Sequence, residues 1–342
     1  MYELKDLKEP LRDFTNNIGA LSKAYMGELE NNPNYADSLI FAGILYEYQR
    51  IDTKFHSRTF KANNPGVPDG VIKELIIKEF ADFLHQTPEN AKALQEELNK
   101  HDDFSSISFV ENDETVVPKE QIEERIKDHL DDIIGIVTNS AKPTLEYIEK
   151  YKQAIKDKYY ETLAKHGIND PVICRGSPTD IPEGSNIPPA VDTENQFYSE
   201  IVTGVFATSS YDGTARYVAK GIVPGSVSMG SGIDIFPKGT FLPPEKQTDP
   251  DNLIVAGTSY IYIIPADSFE PQIDFNYDSK NKKVELNFGG EWVAKGDEGV
   301  PFVSKRMTDR IDRDVYKNRS VFERKIRSCK RKKKFGWYEP IS

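Results

Sequence analysis

Residues 203–219 read TGVFATSSYDGTARYVA. Val205 and Phe206 are strand formers, Thr208, Ser209 and Ser210 follow as a run of hydroxyls, and a helix-like stretch begins at once. Hydroxyls at such a junction commonly cap a helix, because their oxygens accept from the first unbonded backbone N–H groups. A different use requires partners supplied by other parts of the chain.

Upstream, the sequence is helical in pattern. In residues 71–86 (VIKELIIKEFADFLHQ), Ile72, Leu75, Ile76, Phe80, Phe83 and Leu84 share one helical face, with Pro68 and Asp69 as start signals. Residues 119–137 repeat the pattern through Ile122, Ile126, Leu130, Ile133 and Val137. Residues 144–167 do so through Leu145, Ile148, Ile155 and Tyr159, and Gly167 stands where a C-terminal cap belongs. Residues 35–48 read as a further, buried helix. Near residue 170 the long periods stop, Pro and Gly become frequent, and short β-rich runs appear at 171–175, 201–208, 258–266 and 283–288. The expected organisation is therefore α+β: a helical domain over 1–145, a β-rich domain over 146–315 and a basic tail over 316–342. Residues 324–338 of that tail, RKIRSCKRKKKFGWY, hold eight Lys and Arg. Such a run suits contact with an anionic surface, nucleic acid or an acidic partner.

Composition narrows the function classes. The chain has 342 residues, 38% hydrophobic and 29% charged, with a formal net charge of −11. Bulk charge therefore disfavours nucleic-acid binding by the whole chain. No apolar run approaches the ~20 residues of a membrane helix. The N-terminal MYELKDLKEPLRD has no apolar h-region, so no Sec signal peptide is expected. Two cysteines, Cys174 and Cys329, are too few for a disulfide framework and read as free thiols of a reducing compartment. The five histidines are scattered, with no HExxH, so no metal site is expected.

Three polar stretches lie on β-like frames. The first, residues 172–185 (VICRGSPTDIPEGS), puts Arg175 and Gly176 at a strand end. The second is the hydroxyl run. The third, residues 286–302 (LNFGGEWVAKGDEGVPF), puts Glu291 after a Gly-Gly turn. In this order they resemble the catalytic subunits of cholera-like and pertussis-like mono-ADP-ribosyltransferase toxins, which carry an Arg after a first strand, then an aromatic–x–Ser-Thr-Ser strand, then a catalytic Glu. Residues 259–269 (SYIYIIPADSF) are similar to the family's Tyr-Ile-Tyr strand, and Glu291-Trp-Val-Ala followed by Gly299-Val-Pro-Phe to its Glu segment. The resemblance covers roughly residues 170–305. Ala207-Thr208-Ser209 stand at the Ser-Thr-Ser positions, with Ser210 adjacent. Gly289 stands two residues before the Glu, where arginine-modifying relatives carry a second Glu.

What the resemblance implies is an ADP-ribosyltransferase-like split β-sandwich behind the helical domain, with NAD as substrate and no metal. Glu291, Ser209 and Arg175 are the expected catalytic residues. Arg175, Gly176, Thr208, Ser209, Ser210 and Glu291 are the expected NAD contacts. Glu291 stabilises positive charge developing on the ribose, Arg175 holds the diphosphate, and Ser209 hydrogen-bonds and orients Glu291. Residues 225–234 (GSVSMGSGID) read as a surface loop, with contact to the phosphate or nicotinamide of NAD as the alternative. The expected acceptor is a host protein, and the expected setting is host cytosol, reached without a Sec signal as an injected bacterial effector, or otherwise the cytoplasm. An NAD glycohydrolase and a non-catalytic adaptor with the same fold are the alternatives.

Overall fold

The computed structural model describes residues 2, 4–111, 115–177, 179–195, 200–211, 214 and 259–308. Its helices are α1 (Leu4–Asn31), α2 (Pro33–His56), α3 (Arg58–Asn63), α4 (Asp69–Gln86), α5 (Pro88–Leu98), α6 (Lys119–Ile126) and α7 (Leu130–Lys165). A small hairpin of β1 (Val110–Glu111) and β2 (Thr115–Val116) lies among them. The remaining strands follow α7: β3 (Val172–Ser177), β4 (Asn186–Ile187), β5 (Ala190–Asn195), β6 (Glu200–Thr208), β7 (Ser259–Pro265), β8 (Glu270–Pro271), β9 (Asp274–Asp278), β10 (Lys283–Asn287), β11 (Glu291–Lys295), β12 (Val300–Pro301) and β13 (Ser304–Thr308). The protein is thus α+β, with helices first and antiparallel sheets second.

The helices follow the expected apolar stripes, with two differences. The stripe over 119–137 is divided between α6 and α7, and Asp131 and Asp132 open the first turn of α7, where the helix dipole favours carboxylates. The separate stripes over 119–137 and 144–167 are joined: α7 runs on through Pro143. Proline deletes one backbone donor there. Packing holds the helix together, since Ala141 and Thr144 are fully buried and the Thr144 hydroxyl meets Ser38 of α2 at 2.6 Å. At its end, Gly167 N–H donates to Ala164 and Ile168 N–H to Leu163, at 2.9 and 3.0 Å. Ile168 and Leu163 are both buried, which completes a Schellman cap.

The main sheet has the strand order β13-β7-β3-β6-β11-β8, with β5 also on β6. β3 meets β7 through six registered pairs but meets β6 only at Cys174–Thr208. Gly204 pairs with both Ala190 of β5 and Lys295 of β11, so β5 takes the β6 edge opposite β11, the edge that β3 touches only at Thr208. The sheet therefore splays along a seam between β3 and β6. β9 and β10 form a separate hairpin, and β12 pairs with β4.

The helices lie against this β half. Trp292 of β11 is fully buried, with its ring 5.2 Å from Tyr159 of α7 and 6.0 Å from Phe288. Phe14 of α1 sits 5.0 Å from Tyr159. The Tyr159 hydroxyl donates to the Val172 carbonyl at 2.7 Å. Arg50 of α2 pairs with Asp274 of β9 at 2.9 Å, and Lys156 of α7 with Glu270 of β8 at 2.9 Å. One buried cluster includes side chains of the helices and of the sheet, and residues 145 and 146, the expected domain boundary, lie inside α7.

A shared core dictates shared unfolding. Phe14→Ala removes a fully buried ring and is expected to cost about 3–5 kcal/mol. Urea melts followed by far-UV and near-UV circular dichroism should move together. Loss of the β signal while the helical signal stays at its wild-type midpoint would show the two halves to be independent.

Candidate active site

The site is built outward from the end of β6. Ile201, Val202, Val205 and Phe206 make that segment a strand. Its last residue, Thr208, pairs with Cys174 of β3 on one edge and with Glu291 of β11 on the other. Three stretches remote in sequence converge on this one residue. The hydroxyl nearest Glu291 by register is therefore Thr208. Ser209 comes one place later, past the end of β6.

The hydroxyls fix the approach to Glu291. Thr208 Oγ1 donates to the Gly290 carbonyl at 2.9 Å, and Ser209 reaches the same oxygen with its N–H at 2.9 Å and its Oγ at 3.4 Å. The expected bond from Ser209 to the Glu291 carboxylate is thus drawn instead to the carbonyl one residue before it. Gly290 has φ +82, and a Cβ there would approach Ser210 Cβ at 3.4 Å and Ser209 Oγ at 3.6 Å. Those contacts are ordinary ones, and it is the positive φ that calls for glycine. The capping use of the hydroxyls is also present: Thr208 Oγ1 accepts from Ser210 N–H at 3.0 Å, and Ser210 O accepts from Thr214 N–H at 2.9 Å.

Glu291 opens β11, half-buried, and Gln272 N–H donates to its backbone carbonyl at 2.9 Å. Burial alone pushes its carboxyl above the usual glutamate range. Desolvation disfavours the charged form, and no described cation offsets it. Cys174, on the far side of Thr208, is fully buried, and burial raises its thiol to about 12. It is protonated and unreactive at neutral pH.

Arg175 follows Cys174 and pairs in register with Tyr262. Its Nη1 donates to the Phe206 carbonyl at 2.5 Å. Because β3 pairs with β6 only at Thr208, this acceptor on the splayed edge receives a side-chain donor where a ladder bond would otherwise serve. Gly176 is buried and pairs with Ile261. Residues 225–234 and the tail from residue 309 lie outside the described residues.

Two features escaped the sequence reading. Gly204 lies so close to β11 that a Cβ there would collide with the Ala294 carbonyl oxygen. Its place in the middle of β6 was a usable signal, since an isolated strand glycine marks a close backbone approach. Tyr211, just past the hydroxyl run, is buried beneath Arg12 and Lys8 of α1, whose charges sit 5.3 and 5.9 Å from its ring centre. Nothing in the sequence links residues 8 and 12 to 211.

Among the described residues, no group of three or more His, Cys, Asp or Glu side chains is arranged to hold a metal ion, and no helix is long and apolar enough to cross a membrane. In comparisons with known proteins, no family model, no curated protein and no solved structure matches the chain.

Two substitutions test this geometry. Gly204→Ala should separate β6 from β11 and cost about 1–3 kcal/mol through overpacking, read as a lower urea midpoint. Glu291→Gln should do the reverse at neutral pH. The raised carboxyl pKa makes the folded state hold its proton more tightly than the unfolded state does, so charging Glu291 costs stability as pH rises from its ordinary value of about 4.3 through the raised one. Glutamine lacks that cost. The variant should melt higher than wild type at pH 7, with the gap closing below about pH 4. A lower melting temperature at pH 7 would mean that the charge is compensated.

Proposed function

We propose that the chain is a mono-ADP-ribosyltransferase that cleaves NAD at the nicotinamide–ribose bond and passes ADP-ribose to a protein acceptor in a host cell. The observation that carries this reading is the convergence of Arg175, Thr208 and Glu291, from three adjacent strands, around the end of β6. Cleavage of the glycosidic bond builds positive charge on the ribose, as in glycoside hydrolysis. A desolvated carboxylate without a cation partner attracts that charge more strongly than a solvated one. Glu291 has this character. Arg175 supplies a cation of fork geometry suited to a diphosphate. Thr208 and Ser209 act together on the Gly290 carbonyl and so fix the peptide from which Glu291 departs.

One observation favours NAD glycohydrolase as a second reading. Gly289, two residues before Glu291, is exposed and has no side chain with which to select or activate an acceptor. Water then has open access to the position from which a protein nucleophile would otherwise be directed.

Purified protein incubated with NAD labelled in its adenine half, with and without eukaryotic lysate, separates these outcomes. A labelled protein band identifies a transferase, and nicotinamide release without a band identifies a glycohydrolase. Glu291→Gln should lower either activity by about 10²–10³-fold with little change in NAD affinity, since the charge acts mainly in the transition state. Arg175→Ala should raise the apparent dissociation constant of NAD, and Ser209→Ala should do less than either. Unchanged turnover in Glu291→Gln would overturn the assignment.

A further inference from the structure

On the helical side, α4 and α6 leave a groove of about 450 Å3 between them. Val71, 42% exposed, and Leu75 give it an apolar lining, and Glu74, Glu120, Glu123 and Glu124 give it a carboxylate one. Two lysines, Lys78 and Lys127, leave the groove net acidic. Nearby charges are paired, Lys73 with Asp131 at 2.9 Å and Lys54 with Glu79 at 2.5 Å, whereas these four glutamates form no ion pair among the described residues. Glu120 with Glu123 and Glu124 stand three and four residues apart on one helix, a spacing at which like charges repel. An exposed apolar side chain and an uncompensated acidic cluster, each unfavourable in water, thus share one groove. A cationic segment with an apolar stripe relieves both.

The chain carries such a segment. Phe322, Ile326 and Cys329 recur at the spacing of one helical face, and the eight Lys and Arg of residues 324–338 surround them. We propose that the groove between α4 and α6 is the docking site of the chain's own basic segment, residues 322–334. The tether is long: β13 ends at Thr308, and the roughly fourteen residues from there to Phe322 span up to ~50 Å when extended. A folded chain of this length has a radius of gyration of ~20 Å. Tethering also raises the local concentration of the segment to the millimolar range, so modest intrinsic affinity suffices. The attraction is between exposed charges, and salt screens it.

The cysteine distribution supplies a test. Cys174 is fully buried, which leaves Cys329 of the basic segment as the other thiol of the chain. Dilute full-length protein carrying Val71→Cys should form an intramolecular disulfide with Cys329 under mild oxidant, at least tenfold faster than protein carrying Lys280→Cys on the β9–β10 turn. The rate at position 71 should fall severalfold in 1 M salt, and equally when Glu120, Glu123 and Glu124 are each replaced by Lys. In the unaltered protein, a maleimide should label Cys329 severalfold more slowly than it labels a peptide of residues 322–334, and 1 M salt should remove the difference. Equal rates at positions 71 and 280, indifference to salt, or labelling of the protein as fast as the peptide would overturn the proposal. Disulfide-linked dimers alone would also overturn it, since they assign the groove to the basic segment of a second copy.

Discussion

Thr208 is the residue on which the β half turns. It is the one point where β3 and β6 pair, and it is also the partner of Glu291. The same side chain accepts from Ser210 N–H and donates to the Gly290 carbonyl. It thereby ends β6, starts the next turn and anchors the peptide before Glu291. A one-residue slip of β6 against β11 would replace Thr208 with Ala207 or Ser209 opposite Glu291 and exchange the faces of every β6 side chain. Gly204, at the other end of the β6–β11 ladder, is held close to Ala294 and resists such a slip.

The helices are part of this constraint. Trp292 directly follows Glu291, and its ring is clamped beside Tyr159 and Phe288. Tyr159 also bonds the first carbonyl of β3. α7 therefore bears on both β3 and β11, the strands that carry Arg175 and Glu291, while α1 covers Tyr211 beyond the end of β6. The long unbroken α7 gives these contacts a common frame, and Pro143 weakens it at a point where α2 packs alongside.

The elements legible in the sequence were those in which local signals agree. Gly167, the stripe of α4 and the runs that became β3, β6, β7 and β10 each combine periodicity or β-branched content with a terminator. α1 carries an equivalent stripe through Leu7, Leu11, Phe14, Ile18 and Leu21, but dense charge and Pro10 obscure it. The apolar stripes over 119–137 and 144–167 are separate in the sequence, whereas α7 runs through Pro143 between them by packing that is tertiary. At the site, residue types and their order along the chain were readable. The choice of Thr208 as the partner of Glu291 was not, because strand register depends on a pairing partner more than eighty residues away. The cover of α1 over Tyr211 is legible only in three dimensions.

Two partly buried carboxylates of the β half are treated differently. Asp274 is desolvated and its carboxyl stays above the usual aspartate range, but Arg50 meets it at 2.9 Å and offsets part of that rise. That pair ties α2 to β9 and has a structural use. Glu291 is desolvated to no such end: burial raises its pKa, and no described cation lowers it. A carboxylate kept from water and left uncompensated lowers stability. That cost disappears when the carboxyl takes a proton, or when positive charge comes to it. A substrate that is cationic at the nicotinamide ring, and that transfers this charge to the ribose as the bond breaks, brings such charge with it.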